Sequence, residues 1–240
     1  MFDMGFLPDI RRIIRQVPKN RQTLLFSATM PEQIRHLAND VLRNPTTVKV
    51  GITAPAETVR HALYPVAQQL KTPLLLELLR HTDTDSVLVF TRTKHRAKRV
   101  GEQLAKAGYR STSLQGNLSQ VKRQAALNGF RNGTFQILVA TDIAARGIDV
   151  SQISHVINYD IPSTPEAYIH RIGRTGRASR TGDAFTLVTA EDLTMAHAID
   201  RVLGSKVERR KLPDFNYGPI ASANVTRPRV TSKPVQHWKS

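Results

Sequence analysis

The chain of 240 residues contains no cysteine. That excludes a disulfide scaffold and any thiolate metal site, and it fits a reducing cytosol. No run approaches the ~18 apolar residues of a membrane span. The first ten residues carry two Asp and none of the basic-then-apolar pattern of a secretory signal. No Gly-Lys dipeptide occurs, so a phosphate-cradling G-x-x-x-x-G-K loop is absent, and no Asp-Glu pair precedes Ser27 to hold Mg²⁺. No G-x-G-x-x-G follows a strand-like run, which removes a nucleotide-cofactor enzyme on a Rossmann-like sheet. Ligands for a tetrahedral metal site are lacking, no Ser/His/Asp order points to acyl chemistry, and His61, His81 and His155 read as structural.

Acidic residues are also scarce: 19 Asp+Glu stand against 35 Lys+Arg, a formal charge of +16. The excess is +4 over residues 1–50, +8 over 51–214 and +4 over 215–240, where no acidic residue occurs. Such a balance suits a polyanion, because each neutralised phosphate releases counterion. A basic solvated surface without a specific partner has the same composition. The apolar fraction of 40% and charged fraction of 22% describe an ordinary globular protein, not a disordered, collagen-like or coiled-coil chain.

From residue 87 to 189, short apolar runs alternate with amphipathic stretches. Residues 87–90, 136–140, 155–158 and 184–188 read as buried strands; 93–107, 119–131 and 164–172 read as helices. Ser119 suits an N-cap, and Gly108 and Gly133 suit helix ends. Strands and helices alternating at this spacing predict an α/β fold, a parallel sheet with helices on both faces. Upstream, residues 22–26 and 46–50 read as two further strands around a helix at 31–42. Residues 51–57 read as a linker and 70–79 as an apolar helix opening the next unit. Residues 212–240 hold four of the 13 prolines and no periodicity, the pattern of a flexible basic tail. The first fifty residues cannot close a core of their own.

Three strings carry chemistry, and two of them follow strands, where open parallel sheets bind ligands. His170-Arg171-Ile172-Gly173-Arg174-Thr175-Gly176-Arg177 repeats arginine every third residue, and its glycines end the helix near Ile172. The planar, permanently charged guanidinium suits phosphoryl oxygens, though a basic cluster grips any polyanion. In Ala140-Thr141-Asp142-Ile143-Ala144-Ala145-Arg146-Gly147-Ile148-Asp149, Thr141 can donate to phosphate, Gly147 permits close backbone approach and Asp149 can accept from a ribose hydroxyl. Asp142 and Arg146 read more simply as a helix cap and an i,i+4 pair. Thr91-Arg92-Thr93-Lys94 also follows a strand. Gln115-Gly116-Asn117, with Gln120 and Arg123, forms a weaker cluster.

Together these strings resemble the DEAD-box family of ATP-dependent RNA helicases, in particular its bacterial RhlE-like branch. Ser27-Ala28-Thr29 is similar to the family's SAT motif, residues 89–93 to its fourth motif, and 120–123 to a Q-x-x-R element. Residues 140–149 are similar to the fifth motif and 170–177 to the sixth. The resemblance runs from Met1 to about Asp214. It implies two RecA-like domains with RNA bound across both and ATP in the cleft between them. It divides the chain into the end of the first domain (1–50), a linker (51–57), a complete helicase C-terminal domain (58–214) and a basic tail (215–240).

By the resemblance, Arg174 and Arg177 are arginine fingers on the ATP phosphates and Asp149 contacts the ribose. His170 couples that site to Ser27 and Thr29. Arg92, Gly116, Thr141 and Gly147 lie against the RNA sugar-phosphate backbone, which implies little sequence preference. Closure around ATP and RNA would pry a short duplex apart, and hydrolysis would release the grip. The implied setting is cytoplasmic, with ribosome-assembly or RNA-decay complexes as partners and no membrane. In relatives, Met-Phe-Asp-Met-Gly-Phe closely follows Asp-Glu-Ala-Asp. Met1 is therefore expected to be an internal methionine of a longer parent, with the nucleotide-gripping lysine and the Mg²⁺ carboxylates upstream. The chain alone is expected not to hydrolyse ATP. A non-catalytic RNA-binding module is the alternative.

Overall fold

Every strand pairing in the central sheet is parallel, so all strands deliver their carboxyl ends to one rim. The computed structural model describes residues 7–218 apart from 28–29, 31, 49–57, 83–84, 146–147, 149–152 and 177–180. Seven strands form the sheet in the order β3-β4-β2-β5-β6-β1-β7. They are β1 (Val59–Pro65), β2 (Val87–Phe90), β3 (Ser111–Leu114), β4 (Ile137–Ala140), β5 (His155–Asn158), β6 (Gly182–Val188) and β7 (Glu208–Arg209). The helices are α1 (Leu7–Gln16), α2 (Glu32–Val41), α3 (Lys71–Arg80), α4 (Lys94–Lys106), α5 (Gln120–Arg131), α6 (Asp142–Ala145), α7 (Pro165–Ile172) and α8 (Leu193–Leu203).

The period-2 alternation of a strand sorts the core into two layers. Val87, Val89, Ile137, Val139 and Ile157 pack with Leu74 and Leu78 of α3 and Val100 and Leu104 of α4. Leu88, Phe90, Leu138, Ala140 and Val156 pack with Phe130 of α5, Tyr168 and Ile172 of α7, and Ile199 of α8. The central strands β2, β4 and β5 are buried at every position; β2 and β4 are apolar throughout, while β5 carries the buried polar His155 and Asn158 at its ends. Each fully buried leucine or valine contributes about 1.5–3 kcal/mol. The expected α/β architecture with helices on both faces is therefore the observed one.

Helix boundaries follow local chemistry. The side chains of Thr93, Ser119 and Thr164 accept the N–H groups of Arg96, Lys122 and Ala167 at 3.2, 3.4 and 3.1 Å. Gly108 and Gly133, after α4 and α5, adopt φ of 93° and 79°.

The first fifty residues depart from expectation. Residues 21–27 and 45–48 form no strand, and among the described residues the sheet takes no member from before β1. A strand exists only where a neighbour satisfies its backbone groups, and here Leu24 and Phe26 lie exposed. The remainder of the expected strand at 46–50 and the linker at 51–57 lie outside the described residues, as do 219–240 of the tail. Residues 32–41 are helical as expected, and α1 precedes them, joined by an Arg11–Asp40 ion pair at 3.0 Å. Downstream, β1, β3, β7 and α8 join the predicted elements. β3 was hidden by its sequence, Ser-Thr-Ser-Leu, which belongs to an edge strand paired only with β4.

Two histidines are built into this framework. His155, at the start of β5, sets Nδ1 3.0 Å from Ser154 Oγ and Nε2 3.7 Å from Asp183. His61 on β1 meets the Tyr168 hydroxyl at 2.9 Å. Burial lowers the pKa of both, in His155 against the opposing pull of Asp183. Each imidazole therefore stays neutral in the folded chain to a lower pH than in the unfolded chain. Below about pH 6.5 the unfolded state binds protons preferentially, so stability falls with pH. Thermal melting should decline from about pH 7 to about pH 5.5, and a His61→Gln/His155→Gln double variant should decline less over that interval.

Candidate functional site

The chain leaves β2 for β3 on one side of the sheet, returns through β4, and crosses β2 to reach β5 on the other. The loops at the carboxyl ends of these strands surround that reversal, the position where open α/β sheets take ligands. Arg92, Gly116 and Thr141 follow β2, β3 and β4 there, joined by Asp160 after β5.

Arg92 is exposed, but its backbone is fixed: its N–H donates to Asp160 Oδ2 at 2.9 Å. Its guanidinium lies 3.5 Å from Asp192 Oδ1. Gly116 sits in the turn after β3, and a Cβ built on it meets nothing within 4 Å. Packing of this chain therefore does not require glycine, and the bare backbone faces outward, open to close approach. Lys94 Nζ donates to Asn117 Oδ1 at 3.0 Å beside it. Thr141 is half-buried, and its carbonyl accepts the Ala145 N–H at 2.9 Å to open α6.

Below this rim lies a contact that the sequence reading missed. Asp142 pairs with Arg171, whose Nε and Nη2 reach its two carboxylate oxygens at 2.6 Å each. Arg171 Nη1 also donates to Asn158 Oδ1 at 3.1 Å and to the Asp160 carbonyl at 2.7 Å. The guanidinium lies 4.9 Å from the centre of the Phe90 ring. The arginine repeat thus contains residues of different kinds. Arg171 is 4% exposed and is spent inside the protein. Arg174 lies beyond the Gly173 cap and reaches the Ile148 carbonyl at 3.5 Å. The helix ends at Ile172 as expected, and Gly176 takes a φ of 67°. Thr175, between them, is buried and donates to the carbonyls of Ile153 and Ser154. Position relative to the helix cap was the available signal for separating Arg171 from Arg174.

His170 is exposed on α7, and Ser27 is exposed in the irregular segment before α2. Thr29, Gly147, Asp149 and Arg177 lie outside the described residues, as does Arg146, the partner once expected for Asp142. Among the described residues no group of three or more His, Asp or Glu could hold a metal ion, and no helix is long and apolar enough to cross a membrane.

The helicase conserved C-terminal domain matches residues 70–179, and the DEAD/DEAH box helicase family matches residues 1–37. The Escherichia coli DEAD-box protein SrmB, solved bound to the regulator of ribonuclease activity A, is 36% identical, with a TM-score of 0.60 over 64% of this chain and 90% of that one. This chain belongs to the DEAD-box helicase family. Its RecA-like fold matches other members, among them Saccharomyces cerevisiae Dbp5 bound to RNA and ADP BeF3, with 31% identity and a TM-score of 0.78 over 86% of this chain and 55% of that one. The DEAD-box ATP-dependent RNA helicase CshA is 45% identical in Geobacillus kaustophilus, over 90% of this chain and 46% of that protein. In Bacillus subtilis it is 40% identical, over 96% and 47%. The chain spans about half the length of these curated relatives.

The Arg171 fork predicts a stability effect. Lysine offers a point charge and cannot bond both Asp142 oxygens, Asn158 and the Asp160 carbonyl together. Arg171→Lys should cost about 1–3 kcal/mol in urea unfolding at an unchanged m-value.

Proposed function

We propose that the chain is the C-terminal portion of an ATP-dependent RNA helicase that couples ATP binding and hydrolysis to local unwinding of short RNA duplexes. Residues 58–214 are its C-terminal RecA-like domain, 51–57 the linker, 1–50 the end of the first domain and 215–240 a basic tail. The observation that carries this reading is the gathering of Arg92, Gly116 and Thr141 on one sheet rim; Arg174 follows α7 beyond its Gly173 cap. Arg92, Gly116, Thr141 and Gly147 would hold the sugar-phosphate backbone, so sequence preference is low. Arg174 and Arg177 would contact the ATP phosphates and Asp149 the ribose, with Mg²⁺ held mainly by residues outside this chain. Ser27, Thr29 and His170 would couple the two domains.

RNA is the proposed ligand on the rim, by analogy with Dbp5, solved with RNA and ADP BeF3. Ribosome-assembly or RNA-decay complexes and a cytoplasmic setting complete the reading. As to branch, the relatives above carry the name CshA, so the RhlE-like placement has no support from them and a CshA-like one is preferred.

The purified chain should bind single-stranded RNA with an affinity that falls as salt rises, and it should show no ATP turnover even with RNA present. RNA-stimulated turnover abolished by Arg174→Ala would refute the dependence on a missing half. Absence of RNA binding at low salt would refute the rim as an RNA surface. Binding without turnover that stays unchanged when an N-terminal half is supplied would favour the non-catalytic module.

A further inference from the structure

Lys71, the first residue of α3, is 2% exposed, an uncommon place for an ammonium group. Its Nζ lies 3.5 Å from Asp160 Oδ1 and 3.7 Å from Asp192 Oδ2, and 5.8 Å from the centre of the Tyr159 ring. Burial lowers its pKa, and the two carboxylates pull it back up. No residue of the family motifs identified above lies on α3.

What the two carboxylates do gives the lysine a purpose. Asp160 Oδ2 accepts the backbone N–H of Arg92, while its Oδ1 accepts Arg96 Nη1 at 2.6 Å. Asp192 Oδ2 accepts both the N–H and the hydroxyl of Thr189, at 3.0 and 2.8 Å, leaving Oδ1 turned to the Arg92 guanidinium. Thus one buried cation faces two anions, and each anion holds Arg92: one by its main chain, the other by its side chain. The Arg92 guanidinium is 61% exposed, so Asp192 engages one edge and leaves the rest toward solvent.

We propose that Lys71 is a positioning residue for RNA binding, acting through Asp160 and Asp192 to hold Arg92 at the sheet rim. The inference rests on the reading of Arg92 as an RNA contact. Without the ammonium, Arg96 still pairs with Asp160 and Arg92 with Asp192, but the cation shared by the two carboxylates is gone and their mutual repulsion is unscreened. Either group then turns outward or takes a proton, and its hold on Arg92 is lost.

The test is fluorescence anisotropy of a labelled oligouridylate of about ten nucleotides. It compares the full 240-residue chain with Lys71→Met, Arg92→Ala and the double variant at several salt concentrations. Arg92→Ala should lower the slope of log affinity on log salt by about 1. Lys71→Met should reproduce that change in slope and weaken binding about three- to tenfold. Added to Arg92→Ala, it should change neither quantity. A purely structural lysine would lower the melting temperature while leaving the slope intact. Should Lys71→Met fail to fold, Lys71→Gln keeps a buried donor for the carboxylates and is read in the same way. An unchanged slope in a folded Lys71 variant, where Arg92→Ala does lower it, overturns the positioning role. Losses that add in the double variant overturn it too. If the parent chain binds no oligouridylate, the RNA reading itself fails and the inference falls with it.

Discussion

The Arg171 guanidinium is the point on which the carboxyl-end rim of the sheet depends. A buried, permanent charge must have its donors satisfied, and it is costly when they are not. Four hydrogen bonds from this one side chain reach Asp142 at the start of α6, Asn158 in β5 and the Asp160 carbonyl beyond it. The same group lies against Phe90 at the end of β2. Three adjacent strand ends and the last turn of α7 are thereby set relative to one another. Their order and spacing come from the parallel sheet, but loops beyond the hydrogen-bonded ladder need a separate tie. Arg174, three residues along and past the helix cap, has its own ties, to the Ile148 carbonyl and beside Thr175, which bonds the carbonyls of Ile153 and Ser154.

The same economy reshapes the meaning of the positive charge. Several cations are committed to carboxylates within the fold: Arg171 to Asp142, Lys71 and Arg96 to Asp160, Arg60 to Asp183, Arg209 to Asp200. These contribute to the formal excess but are matched close by, and their fields are largely cancelled at a distance. The field that a polyanion meets comes from the exposed members, among them Arg92 and Lys94 on the rim. Net charge thus says little by itself, while the pattern of internal pairing determines which cations remain exposed.

The sequence disclosed most where burial acted on both sides of an element. The strand at 87–90 coincides with β2 because a strand covered by two helical layers has no polar positions to interrupt it, and that at 155–158 with β5 through its central Val156 and Ile157. Helix starts at Thr93, Ser119 and Thr164 were legible because capping is local chemistry over three residues. β3 was not, since a polar edge strand has no apolar signature. The segment at 22–26 failed for the converse reason: it has strand composition but no neighbouring strand among the described residues. Within the site, Arg92, Gly116 and Thr141 were readable from their positions after strands. Arg171 was not, because its bond to Asp142 spans 29 positions and lies in no local pattern. The buried lysine of α3 escaped for a similar reason, as its partners come from β5's exit and the turn before α8.

The two ends of the sheet carry a last consequence. At one, β3 offers Ser-Thr-Ser-Leu over four residues; at the other, β7 is two residues long, with Arg209 turned onto Asp200. Short, polar or charged margins are poor templates for a strand from another molecule. An apolar parallel sheet of this kind is at risk of edge-to-edge stacking while it folds, and β3 and β7 place that protection at both outer ladders.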